Sequence, residues 1–141
     1  MAAVLLGLAL VMLAVAGIAK AAVDVLMHQE DKNIFIKLGP WWDARTSWKR
    51  KYKDYDAGDL RPCFIGAKTW LVSLTDFWHA ADAVYLLTYA AGFALIGFTC
   101  ASVPLPVLKL VTVSVLGRLV FSGVFEVFYK HVFRIKSIGA N

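Results

Sequence analysis

Three long apolar runs leave this chain few ways to fold. The first runs from Ala2 to Ile18, extending to about Met27 if Lys20 and Asp24 lie at an interface. The second runs from Thr69 to Cys100, and the third from Val107 to about Tyr129. About 20 residues at a rise of 1.5 Å each cover the hydrocarbon of a bilayer, so each run is long enough to cross one as an α-helix. Composition points the same way: 60% of the residues are hydrophobic and 18% charged, against about 45–50% and about 25% in soluble domains. A chain of 141 residues has too little interior to hide that much apolar surface. A soluble enzyme, a disordered chain and a disulfide scaffold are all disfavoured. The sequence reads instead as an all-α integral membrane protein, a single membrane domain over residues 1–141. It would have about three transmembrane helices and an interfacial amphipathic helix in a cytoplasmic loop.

The first run begins directly after Met1 without the basic n-region of a signal peptide, so residues 1–27 read as a retained first span. Residues 28–63 form a polar loop. Nine basic residues (Lys32, Lys37, Arg45, Lys49, Arg50, Lys51, Lys53, Arg61, Lys68) and six acids (Glu30, Asp31, Asp43, Asp54, Asp56, Asp59) fall between residues 28 and 68. Gly39-Pro40, Asp56-Ala57-Gly58-Asp59 and Pro62 mark turns there. Trp41, Trp48, Tyr52 and Tyr55 recur at spacings that share one face of a helix. Lys49, Arg50, Lys51 and Lys53 accompany them, and an aromatic stripe beside a basic one suits a helix over residues 41–55 lying in the headgroup region.

The second run is too long for one untilted span and too short for two. Asp76, His79 and Asp82 divide it, so residues 64–79 are expected as an interfacial or re-entrant helix. The crossing then covers about Ala80–Thr99, within a unit spanning 64–100. Val103-Pro104-Leu105-Pro106 forms a turn, the third span covers 107–129, and residues 130–141 are a basic tail. On this arrangement 13 of the 15 Lys and Arg residues fall on one side. The positive-inside tendency therefore places the loop and C-terminus in the cytoplasm and the N-terminus outside, in what reads as a bacterial inner membrane. Cys63 and Cys100 fall near opposite faces and are not expected to pair.

Polar groups within membrane spans are functional candidates by default. Pairing the last two runs as an antiparallel hairpin puts Asp82 level with Glu126, His79 with Phe128 or Tyr129, and Asp76 with His131. Asp76, His79, Asp82, Glu126, His131 and Arg118 thus form the candidate polar cluster. Asp76, His79, Asp82 and Glu126 have the donor types for a divalent metal such as zinc, manganese or iron, although no cofactor is expected. The same groups serve equally as a proton relay or as one another's hydrogen-bond partners, and Glu126 with Lys130 makes an ordinary i,i+4 pair. Arg118, midway along the third run, must snorkel, reach Asp82 or Glu126, line a wet cavity or meet a partner chain. Small residues (Ala3, Gly7, Ala14 and Gly17 on the first run; Ala90, Ala94, Gly97 and Ala101 on the second) permit close helix approach. No catalytic signature such as a nucleophile elbow or HExxH occurs.

Trp42-Asp-Ala-Arg-Thr-Ser-Trp48-Lys-Arg-Lys-Tyr52-Lys53, then Phe64-Ile-Gly66-Ala-Lys-Thr69-Trp-Leu-Val and Leu74-Thr-Asp76-Phe-Trp78-His79, resemble a set of small uncharacterised membrane proteins from bacteria and their phages. The resemblance covers about residues 41–79 and implies no activity. It directs attention to the Trp48–Lys53 segment and to the Asp76–His79 pair. The leading expectation is a structural or assembly subunit that self-associates or docks on a larger membrane complex, on a bilayer with anionic lipids and without nucleic acid. One alternative is a membrane-embedded enzyme or a cation or proton carrier using the Asp/His/Glu cluster. The other is a holin-like pore.

Overall fold

A computed structural model describes residues 1–29, 32–101 and 106–135. It is mostly helical, and three of its helices are long and apolar enough to cross a membrane, as the apolar runs predict. They are α1 (Ala2–His28), α3 (Phe77–Ala101) and α4 (Pro106–Val127), the last continued by a π-type turn over Phe128–Val132. Proline suits the start of α4, because the first helical residue needs no intrahelical N–H bond. The turn expected before it, at residues 103–105, lies outside the described residues, as do Glu30, Asp31 and the tail from Lys136 onward.

The three helices do not pack as an α3–α4 hairpin with α1 beside it. Helix α1 is the centre: it packs on both α3 and α4 more extensively than those two pack on each other. Its buried positions are mostly small (Ala9, Ala16, Gly17, Ala19, Ala21, Ala22), which lets its neighbours come close. Among its larger buried residues (Leu13, Val23, Val25, Leu26), Leu13 acts as the knob toward both neighbours. A Cβ on Gly92 of α3 would lie 2.7 Å from Leu13 Cγ, and one on Gly117 of α4 would lie 2.6 Å from Leu13 Cδ1. Two glycines on different helices therefore form the hole for one leucine. One turn further on, a Cβ at Gly17 would meet the Phe121 carbonyl oxygen of α4 at 2.7 Å, so α1 and α4 touch backbone to backbone.

The polar segment departs from expectation in two places. Residues 41–55 do not form one amphipathic helix. Asp43 caps a short helix, α2 (Ala44–Ser47), by accepting the Arg45 amide at 3.1 Å. A 3₁₀ turn over Trp48–Lys51 follows, then an antiparallel hairpin of β1 (Tyr52–Asp54) and β2 (Asp59–Pro62). Turn chemistry overrides the helical spacing: Gly58 takes φ +80° and Asp54 accepts the Ala57 amide at 3.0 Å. The aromatics still meet, but around the hairpin, with Trp48 and Tyr52 each packed on Tyr55 at centroid distances of 4.7 and 5.4 Å. Lys49 and Lys51 lie over Tyr55 and Tyr52. Residues 64–76 likewise form turns and a 3₁₀ turn over Val72–Leu74 rather than a helix, with Gly66 at φ +87° breaking the run. Helix α3 consequently begins at Phe77, earlier than expected.

The start of the loop is not simply solvated. Phe35 is buried against Trp42, Phe77 and Phe133, and Trp41 packs on Trp42 and Phe77. A bridge between Asn33 and Arg134, with the Ile34 amide on the Phe133 carbonyl at 3.0 Å, ties this aromatic cap to the end of α4. Five rings from four stretches thereby close the loop-side end of the bundle.

In the hairpin, Arg61 forks onto Asp59 with contacts of 2.8 and 2.6 Å, and this hydrogen bonding lowers the Asp59 carboxyl from 3.8 to about 2. A depressed carboxyl contributes to the hairpin above its unfolded value, and that contribution is lost as pH falls through the folded value. A carboxyl-carbon NMR titration should therefore find an Asp59 midpoint near 2. In Arg61→Gln the midpoint should return toward 3.8.

Candidate functional site

The polar residues singled out in the sequence divide between two places. At the first, Asp76 precedes α3 and its Oδ1 accepts the His79 amide at 3.0 Å, the bond of a helix N-cap. Its Oδ2 accepts the Thr75 hydroxyl at 3.0 Å and lies 2.7 Å from His79 Nδ1. Asp76 is 1% exposed. A cleft of about 300 Å³ beside the pair is lined by Leu26, Met27, Ala44, Ser47, Trp48 and Trp78. Trp78 Nε1 is buried without a hydrogen-bond partner among the described residues. A carboxylate on Nδ1 fixes the ring and leaves Nε2 as the nitrogen able to exchange a proton.

The second place is a groove of about 370 Å³ where α1, α3 and α4 meet, lined by Lys20, Asp24, Tyr85, Arg118, Ser122 and Glu126 with Phe121 and Phe125. Lys20 pairs with Asp24 at 2.5 Å, i,i+4 on α1, and lies over the Tyr85 ring at 5.8 Å. Glu126 pairs with Lys130 at 2.6 Å, the pair expected from the sequence. Arg118 makes no ion pair among the described residues; its guanidinium stacks over Phe121, 4.9 Å from the centroid. Since Phe121 lies one turn nearer the loop, the side chain leans toward the loop-side end. Arg118 also lines an apolar groove of about 470 Å³ running the opposite way, with Phe93, Leu110, Val111, Ser114, Val115 and Leu119.

Of the expected cluster, then, Asp76 and His79 touch, whereas Arg118 and Glu126 share the other groove. Asp82 is half-buried and His131 exposed, and neither lines either site. Among the described residues no three His, Cys, Asp or Glu side chains gather closely enough to hold a metal ion. Lys20 and Asp24 were missed as site residues, although their i,i+4 spacing on the same side as Glu126 is legible in the chain. Of the surface-binding set, Trp41 packs on the first residue of α3, while Trp48, Tyr52 and Tyr55 keep to the hairpin. Cys63 and Cys100 are both free thiols, the first exposed and the second buried.

Comparison with known proteins adds no family: no protein-family model, curated protein or solved structure matches this chain.

Proposed function

We propose that this is a small polytopic membrane protein that works by association, with itself or with a larger membrane complex. One observation carries the reading. Each long helix holds two glycines, one consumed inside the bundle and one left open. Gly17, Gly92 and Gly117 seat neighbouring helices of the same chain, whereas Cβ atoms at Gly7, Gly97 and Gly123 would meet nothing within 4 Å. The open glycine of α3 continues a ridge with Ala90, Ala94 and Ala101, all exposed. In a bilayer, association depends on close backbone approach, because lipid tails are as apolar as the side chains. Helices α3 and α4 are also the least covered of the three, so their outer faces offer the most room for another helix.

The distribution of basic residues supports a bacterial inner membrane with the loop and C-terminus cytoplasmic and the N-terminus outside. The Lys-bearing hairpin aromatics, Trp48, Tyr52 and Tyr55, suit contact with an anionic leaflet. Cysteines placed at 97 and 123 test association directly: oxidation in native membranes should yield a discrete crosslinked species. Gly97→Ile and Gly123→Ile should shift the protein to the monomer in detergent sizing without unfolding it. A monomer that never crosslinks, from wild-type membranes or mild detergent, contradicts the reading. The fixed Asp76–His79 pair beside a cleft favours a second one, proton transfer at the loop-side surface. A reaction or proton flux abolished by His79→Gln, with assembly intact, would favour it.

A further inference from the structure

We propose that the two grooves meeting at Arg118 together hold one phospholipid, its phosphate on Arg118 and an acyl chain along the first half of α4. Charge gives the first argument. Four other charged side chains flank or enter the polar groove, and they pair off as Lys20–Asp24 and Glu126–Lys130. Arg118 is left as one net positive charge, and a phosphodiester supplies one negative charge. The guanidinium presents a planar fork of donors suited to two phosphate oxygens, and the hydroxyls of Tyr85 and Ser122 line the same groove.

Direction gives the second. From Arg118 the polar groove runs toward Glu126 and Asp24, nearer the loop. The apolar groove runs back through Val115 and Val111 toward the start of α4. Among the α4 residues that line them, 111, 115, 118, 122 and 126 follow one stripe at helical spacing, with 110, 114, 119, 121 and 125 beside it. An amphiphile of the loop-side leaflet has this polarity: head toward the loop, tail toward the bilayer centre. A free phosphate has no use for the apolar half, and an acidic side chain from another helix would fill only the polar end. Depth is no obstacle, because an arginine midway along a membrane span lowers its cost by snorkelling and by drawing headgroups and water inward.

The inference rests on the membrane placement above but not on self-association, so a monomer serves equally well for its test. The full chain in mild detergent, stripped of lipid, is titrated by native mass spectrometry with dioleoyl phosphatidylglycerol, dioleoylglycerol or inorganic phosphate. One phosphatidylglycerol per chain is expected, with dioleoylglycerol and inorganic phosphate both weak. Arg118→Gln should weaken retention at least about tenfold, the loss of a charge-assisted hydrogen-bonded pair, while Arg118→Lys keeps part of it. Ser114→Phe, which fills the apolar groove without changing a charge, should also weaken it. Unchanged helical content by circular dichroism shows that the variants are folded. Equal retention by Arg118→Gln, or equal binding of dioleoylglycerol, overturns the proposal. Inorganic phosphate binding as well as the lipid replaces it with a soluble-anion site. A co-purifying protein released by Arg118→Gln shows that a partner helix occupies the groove instead.

Discussion

Gly17→Ala is expected to destabilise the bundle by about 1–3 kcal/mol, the usual cost of forcing atoms into a filled core. The added methyl would sit 2.7 Å from the Phe121 carbonyl oxygen and 3.2 Å from the Phe125 amide nitrogen, both backbone atoms. Neither can rotate away, so α1 and α4 must separate. Gly7→Ala is the control: it meets nothing within 4 Å and should leave stability unchanged or raise it, since alanine favours a helix over glycine. Reversible unfolding in mixed micelles measures the pair. Equal stabilities would mean that α1 and α4 do not touch at Gly17.

The second large effect is expected at Asp76→Ala, a loss of about 2–4 kcal/mol, combining a lost N-cap with buried donors left unpaired. Two donors lose their acceptor at once, the His79 amide and the His79 ring, whereas the Thr75 hydroxyl keeps the Val72 carbonyl at 2.7 Å. Asp76→Asn should recover much of the loss, because asparagine caps helices nearly as well as aspartate. His79→Ala should cost less than Asp76→Ala, since it leaves the cap in place. The same unfolding measurement separates structure from chemistry. Should Asp76→Ala be as stable as wild type, the carboxylate is not holding the start of α3.

The parts of this fold that were legible in the chain are those set by local patterns. A run of apolar residues long enough to cross a bilayer declares itself without tertiary information, and all three did. The turn at Asp56–Asp59 was also a local signal. The helix drawn over 41–55 went wrong because the spacing of Trp48, Tyr52 and Tyr55 fits a helix face. The Gly58 turn, within four residues of Tyr55, makes a hairpin that gathers the same rings. Nothing local announced the aromatic cap, because Phe35 and Trp42 of the loop meet Phe77 and Phe133 from distant stretches through the packing of the bundle. The site behaved in the same way. Asp76 and His79 are three residues apart and were paired from the sequence. The polar groove needs α1 between α3 and α4, and a hairpin drawn from the last two runs alone leaves Lys20 and Asp24 out of it.

Three crossings must put residues 2 and 109 on one side of a membrane and residues 63 and 134 on the other. A membrane-impermeant maleimide tests this on full-length chains carrying one cysteine each, with native Cys63 serving as one of the four. In intact bacterial cells the reagent should label Ala2→Cys and Lys109→Cys. Cys63 and Arg134→Cys should react only after lysis. Labelling of all four positions from the same side, or of positions 63 and 109 together in intact cells, would contradict a three-helix membrane protein.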